Sequence, residues 1–120
     1  MSFLSMFLIL LVALEHVYFL ILEMFFWTKP KGIKAFRLKS KQFAEDTKVL
    51  AANQGLYNGF LSAGLVFSIV ENDIKIALFF LSCVTIAGIY GAYSTKQIKL
   101  FYIQSIPAIL AMVSLFINII

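Results

Sequence analysis

The stretch F-L-S-M-F-L-I-L-L-V-A-L-E-H-V-Y-F-L-I-L-E-M-F-F-W, Phe3–Trp27, decides the fold. A helix needs roughly 20 apolar residues to cross a bilayer, and this run offers 25 positions. Glu15, His16 and Glu23 interrupt it. An ionisable group at the centre of a spanning helix costs roughly 2.5–3.5 kcal/mol on insertion scales. Three of them on one span are therefore expected to face other helices and to mark a functional site. The run does not read as a secretory leader. The first Lys or Arg of the chain, Lys29, comes after the run, and no A-x-A site follows the apolar core.

Working outward, composition gives the same class. Of 120 residues, 62% are hydrophobic and 13% charged, whereas a soluble domain averages about 45–50% apolar and 25% charged. One membrane domain over residues 1–120 is expected, with no second domain. The net charge of +4 gathers beside the spans and not on a nucleic-acid-binding face, so no nucleic-acid partner is expected. The single cysteine, Cys83, can form no intrachain disulfide and has no metal-ligand spacing around it.

Four apolar segments stand out, at about 3–27, 49–70, 76–93 and 100–120. Continuous runs without strand alternation favour helices, and helices satisfy their own backbone in lipid. The fold class expected is all-α integral membrane, a four-transmembrane-helix bundle. Residues 28–48 carry Lys29, Lys31, Lys34, Arg37, Lys39, Lys41 and Lys48, seven of the ten basic residues. Lys96 and Lys99 flank the third connection, and only Lys75 lies in the second. The positive-inside rule then puts the first and third connections in the cytoplasm and both termini outside, N-out/C-out. The compartment expected is the bacterial inner (plasma) membrane, crossed several times.

Within loop 28–48, Pro30 and Gly32 break the first helix. Ile33 and Phe36 among lysines predict a short interfacial helix. Ser40 is positioned to N-cap a helix that continues into the second span. The basic residues are expected to attract anionic lipid headgroups.

Helix geometry sorts the polar residues by face. His16, Leu20, Glu23 and Trp27 form one stripe, with His16 and Glu23 about 20° apart and Glu15 about 80° to the side. The second segment carries Asn53, Gln54, Tyr57 and Asn58. It also carries Gly55 and Gly59, a G-x-x-x-G that lets helices approach closely. Gly88 and Gly91 form a second small-residue surface, and homo-oligomer contacts are expected on such faces. Tyr90 and Gln104 fall in the inner half of their spans. The polar residues thus concentrate from the cytoplasmic side to the bilayer centre, as a pocket open to the cytoplasm would require. Two carboxylates and one imidazole from a single helix do not specify a metal, so proton handling is preferred. An unpaired charge is disfavoured at that depth, so Glu15 is expected to carry its proton beside a neutral His16, the alternative being an ion pair between protonated His16 and a carboxylate.

The motifs A-L-E-H-V-Y at 13–18, L-E-M-F-F-W at 22–27, K-V-L-A-A-N-Q-G-L-Y-N-G-F at 48–60 and A-G-I-Y-G at 87–91 resemble one family. It is a bacterial and fungal four-span family catalogued as a domain of unknown function, thirteen-hundred-and-four. The resemblance implies an integral membrane protein of this size and no activity. The topology is also similar to the MAPEG superfamily of eicosanoid and glutathione metabolism. A-A-N-Q-G-L-Y-N at 51–58 loosely resembles their Ala-His-x-Asn-x-x-Glu pattern. That likeness implies a transferase using a thiol cofactor, glutathione. Arg37 is the only arginine here, so their arginine-rich positions have no counterpart.

The functional expectation is a small membrane protein that binds a proton or a small polar or amphipathic molecule. Glu15, His16 and Glu23 would form the charged walls. Asn53, Gln54, Tyr57, Asn58, Tyr90 and Gln104 would supply hydrogen bonds. The alternatives are the MAPEG-like transferase and an assembly subunit without a ligand.

Overall fold

The computed structural model describes the backbone of residues 1–119 and the side chains of residues 1–117. Its elements are α1 (Phe3–Phe25), α2 (Pro30–Ala35), α3 (Lys41–Val70), α4 (Ile74–Thr95) and α5 (Ile98–Leu100), then a π-helical turn (Phe101–Ser105) and α6 (Ile106–Ile119). No strand occurs among the described residues. Three helical stretches are long and apolar enough to cross a membrane: Phe3–Phe25, Ile74–Thr95 and Ile98–Ile117. They coincide with the first, third and fourth expected spans, and position 120 of the fourth lies outside the described residues. At 30 residues α3 is the longest helix. Its charged first turns and Asn53, Gln54 and Asn58 dilute its apolar character, so it is not among the three.

Local chemistry sets the boundaries. Ser40 caps α3 through its hydroxyl, which accepts from the Phe43 amide at 3.0 Å. Asp73 caps α4 by accepting from the Lys75 and Ile76 amides at 2.8 and 3.2 Å. Lys96 closes α4 in the left-handed region, φ 58°. The π-turn precedes Pro107, which has no amide to donate back into the helix. There the Ile106 amide bonds the Phe101 carbonyl, five residues back.

The chain packs as two compact units. The first joins residues 1–14 to the chain from Leu61 onward. Its core is Ile9, Val12, Ala13, Leu65, Ala77, Leu81, Val84, Ala108, Ala111 and Leu115, each at most 1% exposed. Small polar residues share that interior. Ser5 and Ser114 exchange a 2.8 Å hydroxyl bond, Ser62 donates to the Ala13 carbonyl at 2.9 Å, and Ser105 donates to the Thr85 carbonyl at 2.9 Å. Lipid tails are as apolar as leucine, so helices in lipid associate by close packing and such bonds, not by burying bulk. Accordingly Phe3, Phe7, Leu10, Phe67, Phe79 and Phe116 are exposed. The second unit, Glu15–Phe60, comprises the end of α1, α2 and the start of α3, and holds the polar residues of the first span.

Candidate functional site

Within the unit Glu15–Phe60 the site is built from the glycine ridge of α3. A Cβ at Gly55 would lie 2.7 Å from Met24 Cγ, 3.1 Å from Glu23 Cβ and 3.2 Å from the Leu20 carbonyl oxygen. A Cβ at Gly59 would lie 2.6 Å from Leu20 Cδ1. The absence of side chains at these positions brings α1 and α3 together at the turn that carries Glu23. The short side chain of Asn58 can then reach across, and its Nδ2 donates to Glu23 Oε1. Glu23 is 7% exposed.

Around this pair the helices are tied at the loop end. Trp27 Nε1 donates to Thr47 Oγ1 at 3.0 Å, and the Thr47 hydroxyl donates to the Phe43 carbonyl at 2.7 Å. The Trp27 and Phe36 rings lie 5.0 Å apart. Gly32 sits where a Cβ would be 2.0 Å from the Phe26 carbonyl oxygen, which fixes α2 against the end of α1. Further up α1, His16 is fully buried and meets Phe19 edge-on, at 5.3 Å between ring centres. Glu15 is half-buried, and its Oε1 is shielded from solvent without a hydrogen-bond partner. Neither Glu15 nor Glu23 forms an ion pair among the described residues. In this unit Lys48 pairs with Glu45 at 3.5 Å, at an exposed site.

Of the residues expected at the site, Glu23 and Asn58 are brought together. Asn53, Gln54 and Tyr57 are exposed. Around the α3 axis Asn53 lies about 140°, Tyr57 about 100° and Gln54 about 40° from Asn58, and the Tyr57 ring contacts Phe60 at 6.3 Å. Tyr90 and Gln104 belong to the other unit. Tyr90 is exposed and, with Ile86, Ile89 and Tyr93, lines an apolar groove of about 390 Å³. The half-buried Gln104 packs beside Gly88, where a Cβ would come within 3.0 Å of Gln104 Cβ and 2.2 Å of Ser105 Oγ. Gly91 leaves room for a Cβ, whose nearest neighbour would be Leu100 Cδ1 at 3.7 Å. Another groove, of about 670 Å³, is lined by Ile89, Ala92, Tyr93, Lys96, Ile98 and Phe101. A third, of about 250 Å³, is walled by α1 residues such as Phe3 and Phe7 and by Val66 and Val70. None of the three grooves is lined by Glu15, His16 or Glu23. Sequence reading missed the Trp27–Thr47 bond, the Gly32 contact and the buried serines. For the buried serines the available signal was the placing of Ser5, Ser62, Ser105 and Ser114 inside apolar segments.

The Glu23–Asn58 pair has a definite chemistry. A primary amide offers both donor and acceptor. Asn58 can donate to an ionised carboxylate or accept from a protonated one. Among the described residues no group of three His, Cys, Asp or Glu side chains is placed to hold a metal ion.

An all-helical membrane protein with a buried acid on its first span is the class that fold and site define. The chain belongs to the family described as "Protein of unknown function (DUF1304)", whose model matches residues 10–116. A relative from Lactococcus lactis subsp. lactis (strain IL1403), named "Uncharacterized protein YpaA", is 30% identical over 119 residues, covering 97% of this chain and 99% of the relative. No solved structure matches. Neither match connects the chain to the MAPEG superfamily.

Proposed function

We propose that this is a four-span, N-out/C-out protein of the plasma membrane whose first span binds a proton or a small donor-bearing molecule from the cytoplasmic side. In this reading α3 is the remaining span, crossing with its polar residues directed at other helices. The observation that carries the proposal is the buried Glu23 carboxyl, held by an amide that serves both its protonation states and in no ion pair among the described residues. Eight residues earlier on the same helix, Glu15 Oε1, shielded and without a hydrogen-bond partner among the described residues, supplies a second acceptor. A structural role alone would be served by neutral amides, at a fraction of the insertion cost.

The test is infrared difference spectroscopy on the protein in lipid nanodiscs, cycled between pH 5 and pH 9. A carboxyl band that changes with pH and disappears in Glu23→Gln or Glu15→Gln is expected. Identical difference spectra for wild type and both variants would overturn the reading.

A further inference from the structure

The outward face of α3 presents polar groups where a lipid-facing helix should have none. Asn53 and Tyr57 are four residues apart, hence about 40° apart around the axis, with Gln54 at their flank. All three are exposed, Tyr57 by 57%. Neither the Asn53 and Gln54 amides nor the Tyr57 hydroxyl has a hydrogen-bond partner among the described residues. By contrast Asn58, about 140° around the axis from Asn53, is spent on Glu23. The surroundings of the three are apolar and equally exposed: Val49, Leu50, Leu56 and Phe60.

Depth gives these groups their meaning. Thr47 is tied to the Trp27 indole, and tryptophan marks the membrane–water interface. From Thr47, Asn53 lies about 9 Å and Tyr57 about 15 Å further along α3, at 1.5 Å per residue. Water and lipid headgroups are then out of reach of Tyr57, and hydrocarbon offers no hydrogen bonds.

We infer that this face docks against the same face of a second copy of the chain. The inference rests on the proposed crossing of α3. Three properties select a second copy as the occupant. Primary amides carry donor and acceptor together, so Asn53 and Gln54 are complementary to themselves across a symmetry axis. From Val49 to Phe60 the face carries no charged residue, so two copies meet there without repulsion. The glycine ridge is already filled by α1 of the same chain, which leaves the amide face as the side of α3 free to associate. The expected contact therefore runs through Asn53, Gln54 and Tyr57, and not through Gly55 and Gly59.

The experiment uses single cysteines in a Cys83→Ser background, oxidised in native membranes with copper–phenanthroline. Asn53→Cys and Tyr57→Cys are expected to give a covalent homodimer, and Val113→Cys, on the exposed side of α6, to give none. In mild detergent the Asn53→Val/Gln54→Leu variant should lower the oligomer fraction at least tenfold, whereas Asn53→Gln should preserve it. A wild-type chain that is monomeric by native mass, equal cross-linking at positions 53 and 113, or cross-linking only to a different protein would each overturn the inference. Failure of the α3 crossing itself is read separately. A membrane-impermeant maleimide would then label position 53 in sealed vesicles, a result the docking proposal cannot survive either.

Discussion

Asn53 and Asn58 are the same residue type on one helix, about 140° apart around its axis. Asn58 sits where the glycine ridge lets α1 approach, and it satisfies Glu23. Asn53 points away from that contact. The sequence makes it legible that Glu23 should meet the second apolar segment, because a carboxylate on a span needs a polar neighbour. Which of four polar residues would meet it was not legible. A glycine ridge and a polar stripe both signal contact, and periodicity does not rank them. Coupling between Glu23 and Asn58 is directly measurable. Asn58→Leu strands a buried carboxyl, which costs about 1–3 kcal/mol. In reversible unfolding from mixed micelles, Glu23→Leu/Asn58→Leu should therefore lose less stability than the two single changes together, by about 0.5–3 kcal/mol. Strict additivity would show that the bond is not formed.

At the scale of elements, the helix limits follow from capping residues visible in the sequence at Ser40. They follow less visibly at Asp73, which a hydropathy reading leaves outside the span. The π-turn was not legible, because proline signals a break without specifying its form. Glycines divide by what faces them. Gly88→Ala would drive a Cβ to 2.2 Å from Ser105 Oγ and 3.0 Å from the Ser105 amide nitrogen, disturbing the Ser105–Thr85 bond. A loss of about 1–3 kcal/mol is expected for such overpacking. Gly91→Ala meets no such contact and removes a helix-interior glycine, so a gain of about 0.5–1 kcal/mol is expected. Thermal unfolding of the two variants side by side checks the ordering. Equal stability would show that α4 does not approach the π-turn as closely as described.

At the scale of the whole molecule, charge placement was the most legible property. Nine of ten basic residues fall on one side if all four segments cross. Cysteines at positions 34 and 73 flank α3 and test this in intact cells lacking Cys83. Position 73 should react with an impermeant reagent from outside and position 34 should not. The opposite pattern would invert the topology, and equal labelling would deny that α3 crosses. The grouping of the chain into two compact units was not legible. It depends on which halves of α1 and α3 pack with which neighbours, and hydropathy carries no such information.

Glu23 and Asn58 are separated by 35 residues of sequence, and each is a poor passenger in lipid without the other. If α3 crosses as proposed, the first span has to be waiting beside the insertion machinery when α3 emerges from the ribosome. The two would then enter as a hairpin, with loop 28–48 held back by its lysines. Biogenesis would in that sense be a paired event, and a nascent chain stalled before residue 58 would hold α1 at the translocon, not release it to the bilayer.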